Sequence, residues 1–399
     1  MASHRLRKAS LRGADIMAVN PRDFGFNFRI VEQAIRAPYG MVETLTGAAK
    51  AVLSDADAVP RAIEGLLTDI EPDATAKRIA GRLQTATHAG VLLGPIALHH
   101  PYAAVLRGLS SVIAARTGAR LGYLPDGANA AGAWLAGCLP HRGPAGELLD
   151  APGLHAGAML EQPRRACLLF GVEPELDCDD PSAATAAMQA AEFVAVCTPF
   201  AGEAMREYAD VLLPVASFAE TAGTFVNAEG RWQSFNAAVP PPGEARPGWK
   251  LLRVLGNTLG LDGFDYTAAE QARDELKALF SADLRFDNRV PLSDLLRVPR
   301  KPREIARIST APIYAGDPLL RRANALQETA DARDTAVRIN SRLATALNLD
   351  RAEHVTVRQG GKRILLPLQV DDGVAGGTVW MPAGIAETVA LGSAFGEVT

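Results

Sequence analysis

The sequence has little cysteine: four residues among 399, at Cys138, Cys167, Cys178 and Cys197, with no CxxC pair. Iron–sulfur clusters and structural zinc draw closely spaced thiolates from a turn, and these spacings predict neither. Cys167 and Cys197 lie in apolar, strand-like runs and are predicted to be small core residues. So few cysteines in so long a chain also argue against a disulfide framework.

Long apolar runs and an excess of basic residues are absent as well. The most apolar run, Val91 to Leu98, is interrupted by Gly94 and Pro95 and is far shorter than the roughly 20 residues that span a bilayer. The net charge of −4 gives no concentrated basic face of the kind that a phosphate backbone requires. The sequence therefore predicts no direct membrane insertion and no nucleic-acid partner.

The common motifs of nucleotide binding and hydrolysis are missing too. There is no GxGxxG after a strand, no GxxxxGK[ST], no HExxH and no GxSxG. The nearest glycine pattern, GANAAG from Gly127 to Gly132, lacks the middle glycine that lets a backbone approach a pyrophosphate. His99 and His100 are expected to flank a helix that starts near Pro101 rather than to bind a metal. We predict no catalytic residue and no metal ligand.

What the sequence does contain is an alternation of strand and helix patterns over its first two thirds, which indicates an α/β fold. The clearest unit starts with the apolar strand ACLLFGVE and continues through a helix that Asp180 caps and Pro181 opens. The strands FVAVCTP and ADVLLP follow, separated by a second helix. Short connections of this kind predict a parallel, right-handed β-α-β-α-β arrangement.

The pattern divides the chain into four predicted regions. Residues 1–60 resemble the edge of an α/β domain whose earlier strands are absent, and we expect an unpaired sheet edge there. The main α/β region spans 61–295, an irregular connection 296–334, and a small β-barrel-like domain 335–399. In the last region Gly360 and Gly361 form the predicted two-residue turn of a hairpin. The basic start, MASHRLRKASLR, has the composition of a transit peptide, but its direct continuation into DIMAVNP favours a first helix, and a cytosolic location follows by default.

One acidic stretch, residues 173–180, stands where a parallel sheet binds ligands, just beyond the carboxyl end of a strand. No Lys or Arg lies within this stretch, so its carboxylates are expected to repel a pyrophosphate. We interpret it as a solvated acidic loop with a helix cap; the alternative is a cation-binding module that uses some of its oxygens. The carboxylates are Glu173, Glu175, Asp177, Asp179 and Asp180.

The stretch from ADVLLP to EGRWQ resembles the molybdopterin oxidoreductase superfamily, as does GANAAGAWLAGCLP upstream. The resemblance implies parallel sheets with flanking helices and, in the tail, a last domain that helps hold the pterin dinucleotide in active members. We expect the matching residues to be structural here rather than cofactor-binding. They are Asp210, Pro214, Glu220, Gly223, Thr224, Asn227, Glu229, Gly230, Arg231 and Gln233.

Other segments are similar to one branch of that superfamily, the large iron–sulfur subunit of respiratory complex I. They are residues 168–181, 218–235, 241–266 and 313–332. This resemblance implies the carboxy-terminal part of a subunit that passes electrons from NADH, through FMN and iron–sulfur clusters, to quinone, coupled to proton translocation. It implies other peripheral-arm subunits as partners and a cytoplasmic position at the inner (plasma) membrane.

Two departures from the superfamily shape the prediction. Active members place an asparagine before the proline in the counterpart of VEPE, and this sequence has Glu173. The cysteine-rich amino-terminal part, which binds the 4Fe-4S and 2Fe-2S clusters of the intact subunit, is absent here. We therefore predict a scaffold without its own cofactor or active site; the alternative is an active molybdopterin-dependent oxidoreductase lobe.

Overall fold

The computed structural model describes residues 2–54, 59, 61–162, 164–280, 286–288, 290 and 299–399. Its first part is mostly helical and contains two small parallel sheets, β1–β2 and β3–β4. The elements are α1 (Ala2–Leu11), β1 (Met17–Asn20), β2 (Glu32–Ile35), α2 (Pro38–Val52), α3 (Arg61–Thr68), α4 (Ala74–Thr85), β3 (Gly90–Leu93), α5 (Pro95–Leu98), α6 (Ala103–Thr117), β4 (Arg120–Tyr123) and α7 (Ala130–Leu135).

Local signals in the sequence account for the bounds of these helices. The Asp73 carboxylate caps α4 by accepting a hydrogen bond from the amide of Ala76 at 2.7 Å. Helix α6 ends at Gly118, whose φ of 71° is the left-handed conformation that glycine adopts without strain. Among the described residues, no helix combines the length and the apolar character needed to cross a bilayer.

The core of this first part crosses the predicted boundary at residue 60. Ala49 from α2 is buried in one cluster with Ile63, Leu106 and Leu109 from the next region. Residues 41–52 therefore share their interior with the helices that follow them.

The middle part carries the three-stranded parallel sheet β5-β6-β7 and the antiparallel pair β8–β9. Its elements are α8 (Ala156–Glu161), β5 (Ala166–Phe170), α9 (Pro174–Asp177), α10 (Pro181–Ala190), β6 (Phe193–Thr198), α11 (Glu203–Tyr208), β7 (Val211–Pro214), β8 (Gly223–Val226), β9 (Trp232–Phe235), α12 (Gly248–Thr258) and α13 (Ala269–Ala278).

The predicted β-α-β-α-β unit is confirmed, with parallel pairing in the order β5-β6-β7. One face of this sheet packs against α10 and α11 around Val194, Val196, Met188 and Met205. Asp180 caps α10 by accepting from the amide of Ala183 at 2.9 Å, as the sequence indicates.

The last part forms one curled six-stranded sheet in the order β12-β13-β11-β14-β10-β15. Together with the parallel sheets before it, this half-barrel confirms the predicted fold class. The elements are β10 (Ile305–Thr310), α14 (Pro318–Arg321), α15 (Asn324–Gln327), α16 (Ala330–Arg333), β11 (Val337–Ile339), α17 (Ser341–Ala346), β12 (His354–Gln359), β13 (Lys362–Val370), β14 (Thr378–Pro382) and β15 (Phe395–Val398).

Within this sheet the hairpin β12–β13 has the predicted turn, with φ of 55° at Gly360 and 79° at Gly361. Strand β10 was not expected, because it lies in the range 296–334, for which the sequence predicts an irregular connection. It pairs in parallel with β14 and antiparallel with β15. The prolines around it predict a loop, but its partners stand about 70 to 90 residues later, beyond the reach of a local pattern.

The beginning of the chain is tied to this last sheet. Arg22 lies 2.9 Å from the Asp371 carboxylate and 5.8 Å from the ring of Trp380. The backbone amide of Ala375 donates to the carbonyl of Pro21 at 2.9 Å. Contacts between the two ends of the chain therefore help to define the fold.

Candidate functional site

A cleft of about 420 Å³ opens at the carboxyl ends of β5, β6 and β7. This edge of a parallel sheet is the usual ligand position in open α/β folds. We call it the aromatic cleft because most of its walls are aromatic or aliphatic. The side chains that define it are Phe170, Phe200, Phe218, Trp249, Leu252 and Leu319.

Two local features shape the cleft. The Glu220 carboxylate accepts from the Ser217 amide at 2.8 Å and fixes the turn that presents Phe218. At Gly248 an added Cβ would lie 2.5 Å from the Phe170 ring, so α12 approaches β5 closely only because a glycine stands there.

The acidic loop, residues 173–180, begins beside this cleft and is only in part the solvated loop that we expected, since Asp177 and Asp179 are exposed and Glu173 is not. Glu173 is buried, with 1% of the residue exposed. Its carboxylate pairs with Arg321 and accepts bidentate hydrogen bonds from Arg322 at 2.5 and 3.2 Å. Arg321 also pairs with Asp177. We refer to Arg321 and Arg322 as the arginine pair.

The remaining carboxylates of the loop also have internal partners. Tyr208 donates to Glu175 at 3.1 Å; burial and the negative charge of Glu175 raise the pKa of this phenol well above its ordinary value. Asp179 accepts from the amide of Ala394 at 3.2 Å, in the last sheet. The expectation of a rim of free carboxylates is thus wrong for Glu173 and Asp177, because the arginines that neutralise them stand about 150 residues later in the chain.

Most of the residues that match the superfamily pattern lie in the hairpin formed by β8 and β9. The Asn227 side chain accepts from the amides of Glu229 and Arg231, both at 3.0 Å, and closes the turn between β8 and β9. Gly230, with φ of 80°, completes that turn. Thr224 contacts Ser234 across the pair at 3.0 Å.

Three further members of the pattern also act locally. The Asp210 carboxylate accepts from the amide of Val194 at 2.7 Å and ties the start of β7 to β6. A Cβ at Gly223 would lie 2.8 Å from the Phe235 ring, so this position admits little more than glycine. Glu229 lies 3.9 Å from Arg5, and both side chains are exposed.

One residue of the GANAAG segment connects the two stretches that carry the resemblance. The Asn129 side-chain oxygen accepts from the buried amide of Val226 at 2.8 Å, so α7 is held against β8. Gly132 makes room for it, since a Cβ there would lie 2.0 Å from that oxygen. This contact was not predicted; an asparagine three residues before a helical glycine was its one signal in the sequence.

Arg307, on β10, is a second residue whose role was not predicted from the sequence. It is 2% exposed and donates to the Gln359 side chain at 2.5 Å and to the carbonyl of Gly392 at 2.9 Å. Burial lowers the pKa of its guanidinium to about 10, against the opposing pull of Asp179 and Asp180. This buried arginine joins β10, β12 and the loop before β15.

The thiols and histidines lie apart from one another. Cys197 is fully buried, and Cys167 packs partly buried against the core between the sheet and helices α10 and α11. Burial, followed by the charges of Asp177 and Glu175, raises the pKa of Cys178 to about 11, which keeps that thiol protonated. His100 is buried before α6 and contacts the carbonyl of Pro38 at 3.1 Å. Within the ranges that the structure describes, no three His, Cys, Asp or Glu side chains converge as a metal site.

Comparison with known proteins identifies the class to which this architecture belongs. Residues 73–258 match the model of the family described as molybdopterin oxidoreductase. Acetylene hydratase from Pelobacter acetylenicus has the same fold over 96% of this chain and 68% of its own, with a TM-score of 0.66 at 14% sequence identity. Residues 73–258 are thus a molybdopterin oxidoreductase domain.

The curated relatives include G subunits of NADH-quinone oxidoreductase and, at 36% identity over a shorter stretch of 110 residues, the alpha subunit of an F420-dependent formate dehydrogenase from Methanocaldococcus jannaschii. The relative from Streptomyces coelicolor is 37% identical over 201 residues, which are 42% of this chain and 24% of that protein. Its counterpart in Mycobacterium bovis is 31% identical over 316 residues, or 70% and 37% of the respective lengths. The chain is a homologue of these subunits, as the sequence resemblance predicts, and spans 24% to 37% of their length.

The fold family implies a pterin dinucleotide, and the residues at the strand ends can be tested against it. Such an anionic ligand needs free cationic or amide donors near its phosphates. The aromatic cleft is lined mainly by apolar side chains, and the arginine pair beside it is already bound to Glu173 and Asp177. The described residues at this edge do not fit an anionic pterin dinucleotide.

Proposed function

We propose that this chain is a carboxy-terminal scaffold portion of the large iron–sulfur subunit of an NADH:quinone oxidoreductase. The intact enzyme passes electrons from NADH, through FMN and iron–sulfur clusters, to quinone and couples this to proton translocation. In this proposal the chain performs no redox step itself. It packs against other subunits in the peripheral arm, on the cytoplasmic side of the membrane. The similarity to the curated relatives supports the assignment.

The observation that carries the scaffold role is an open apolar face on the β5-β6-β7 sheet, opposite α10 and α11. Leu168, Phe170 and Phe193 point to this face and are exposed at 50%, 43% and 46%. Val211 on β7 lies on the same face, aligned with Leu168 through Ala195 of the strand between them. We refer to these four residues as the open face.

Parallel sheets are normally covered on both faces, because their strands are apolar on each side. An exposed apolar surface of several large side chains is typical of a protein–protein contact. The open face lies next to the aromatic cleft, so the apolar surface continues to Phe218, which is 64% exposed. These features favour a subunit contact over a solvent-facing surface.

A co-purification experiment tests this proposal. The chain is expressed with an affinity tag in its native host, and the enriched proteins are identified by mass spectrometry. We expect other subunits of the NADH:quinone oxidoreductase to co-purify with the unaltered chain and to be lost with the double variant Leu168→Glu/Phe193→Glu. The matched control is Leu365→Glu, since Leu365 is 67% exposed on β13, away from the open face. Retention of partners by the double variant, or their absence from the unaltered chain, would refute the scaffold role.

Elemental analysis tests the absence of a redox step. We expect the purified chain to contain no stoichiometric molybdenum, tungsten or iron. One equivalent of molybdenum or tungsten would establish an active oxidoreductase lobe instead.

A further inference from the structure

Two arginines converge on one buried carboxylate at the carboxyl end of β5. The Glu173 side chain is 2% exposed, that of Arg321 is 9% exposed and that of Arg322 is 31% exposed. Asp177 pairs with Arg321 from a more exposed position, at 25%. Two cations and two anions therefore share this small volume.

The arrangement of donors has the form of a site for a multivalent oxyanion. Each guanidinium presents planar N–H groups, and several of these meet on the two oxygens of Glu173. Parallel N–H donors of this kind match phosphate as well as carboxylate. Arg322 also packs against an aromatic ring, since its guanidinium lies 4.9 Å from the ring of Phe200, a residue of the aromatic cleft.

The same contacts join distant parts of the chain. The arginine pair follows Asp317, which caps α14 by accepting from the amide of Leu319 at 2.7 Å. Arg321 further donates to the carbonyl of Ala315 at 2.7 Å and so stiffens its own segment. Glu173, by contrast, belongs to the α/β region. The ion pairs thus fasten the segment before the last sheet to the strand end of β5.

We infer that the arginine pair is a built oxyanion site and that Glu173 is its internal occupant. The chain's own carboxylate stands where a phosphate or pyrophosphate would bind, and it closes the site to such ligands. Arg321 and Arg322 keep their positions because Glu173 neutralises them. This inference concerns the isolated chain and does not depend on its assembly with other subunits.

Neutralising Glu173 tests the inference. The variant Glu173→Ala removes the carboxylate, vacates the volume that it fills and leaves the arginine pair with one anion, Asp177. We expect its melting temperature to fall below that of the unaltered chain. Inorganic pyrophosphate is then titrated at constant ionic strength. We expect a dose-dependent rise in the melting temperature of Glu173→Ala by several degrees and no change for the unaltered chain, because a ligand stabilises the state that binds it.

Two controls separate a specific site from general salt effects. Glu175→Ala removes a charge from the same loop, but its partner is Tyr208 rather than an arginine, so we expect no response to pyrophosphate. The triple variant Glu173→Ala/Arg321→Gln/Arg322→Gln should lose the response. Equal shifts in the unaltered chain and in Glu173→Ala, or a response that survives in the triple variant, would overturn the inference.

A second measurement decides the case if Glu173→Ala does not fold. The double variant Arg321→Gln/Arg322→Gln leaves the buried Glu173 carboxylate without its cations, so its folded state favours the protonated carboxyl while the unfolded state ionises freely. Stability is then lost as pH rises, because the unfolded state releases the proton that the folded state retains. We expect the deficit of this variant, relative to the unaltered chain at each pH, to grow as the pH is raised from mildly acidic to neutral. A deficit that is constant with pH would show that Glu173 needs no internal counter-ions.

Discussion

The substitution Gly132→Ala should destabilise the chain when residue 129 is asparagine and stabilise it when residue 129 is alanine. In the unaltered chain a Cβ at Gly132 would lie 2.0 Å from the Asn129 oxygen that accepts from Val226. Gly132→Ala therefore expels the Asn129 side chain. The contact with the buried Val226 amide is lost, at a cost of about 1–3 kcal/mol.

The same substitution has a favourable part, because alanine in a helix is more stable than glycine by about 1 kcal/mol. We therefore expect Gly132→Ala to destabilise the unaltered chain by a net of about 1 kcal/mol. In the background Asn129→Ala the clash is absent and the Val226 contact is already lost. There Gly132→Ala should stabilise the chain by about 1 kcal/mol.

Urea denaturation of the four proteins, the unaltered chain, both single variants and the double variant, measures this coupling as a difference in the free energy of unfolding. Asn129 makes no side-chain cap bond to its own helix, so Asn129→Ala does not add a capping loss to the cycle. Hydrogen exchange at the Val226 amide gives an independent readout, which should accelerate in each variant. The reasoning is refuted if Gly132→Ala has the same sign and size in both backgrounds.

Two further outcomes follow from single sites. Burial lowers the pKa of His100 to about 4, against its ordinary value of 6.5. The folded state therefore resists protonation, and the contribution of neutral His100 to stability is fully present above pH 6.5. The free energy of unfolding falls by up to about 3 kcal/mol as the pH drops from 6.5 to 4. His100→Gln should reduce the loss in urea midpoint between about pH 7 and pH 5, and an unchanged loss would contradict this origin. Gly361→Val places a branched side chain at φ of 79° in the β12–β13 turn and should lower the free energy of unfolding by about 1–2 kcal/mol. The control is Lys362→Val, at the next residue. An equal loss of stability in the two variants would count against backbone strain in the turn.

Elements fixed by short-range chemistry were predictable from the sequence. Asp180 and Pro181 mark the start of α10, and Gly118 marks the end of α6, because caps act on backbone groups within a few residues. The Gly360–Gly361 turn is local for the same reason. Apolar continuity likewise identified β5, β6 and β7, whose parallel order then follows from the helices between them.

Elements fixed by distant partners were not predictable in the same way. Strand β2 has a polar sequence, EQAI, and exists through its parallel pairing with β1. The segment 336–348 reads as one helix, but Val337–Ile339 pairs with β13 as β11 before α17 begins. The stretch from Val91 to Leu98 stops being a strand at Leu93 because Pro95 opens a short helix.

The candidate site shows the same limit. The composition of the acidic loop indicates repulsion, and the structure places two cations on it from residues 321 and 322. A charge count along the sequence gives no distance between residues 148 positions apart. The superfamily resemblance marked the residues of the β8–β9 hairpin, but it indicated neither the hairpin nor the contact by which Asn129 holds it against α7.

The contact between Arg22 and Asp371 has a consequence for the order in which the molecule is completed. Its partners are 349 residues apart. At a synthesis rate of about 5–20 residues per second, roughly 20–70 s pass between the appearance of the first partner and that of the second. During that interval the opening strands cannot complete their contacts with the last sheet. Nascent chains captured on the ribosome should therefore remain sensitive to protease near Arg22 until the segment around Asp371 has left the exit tunnel.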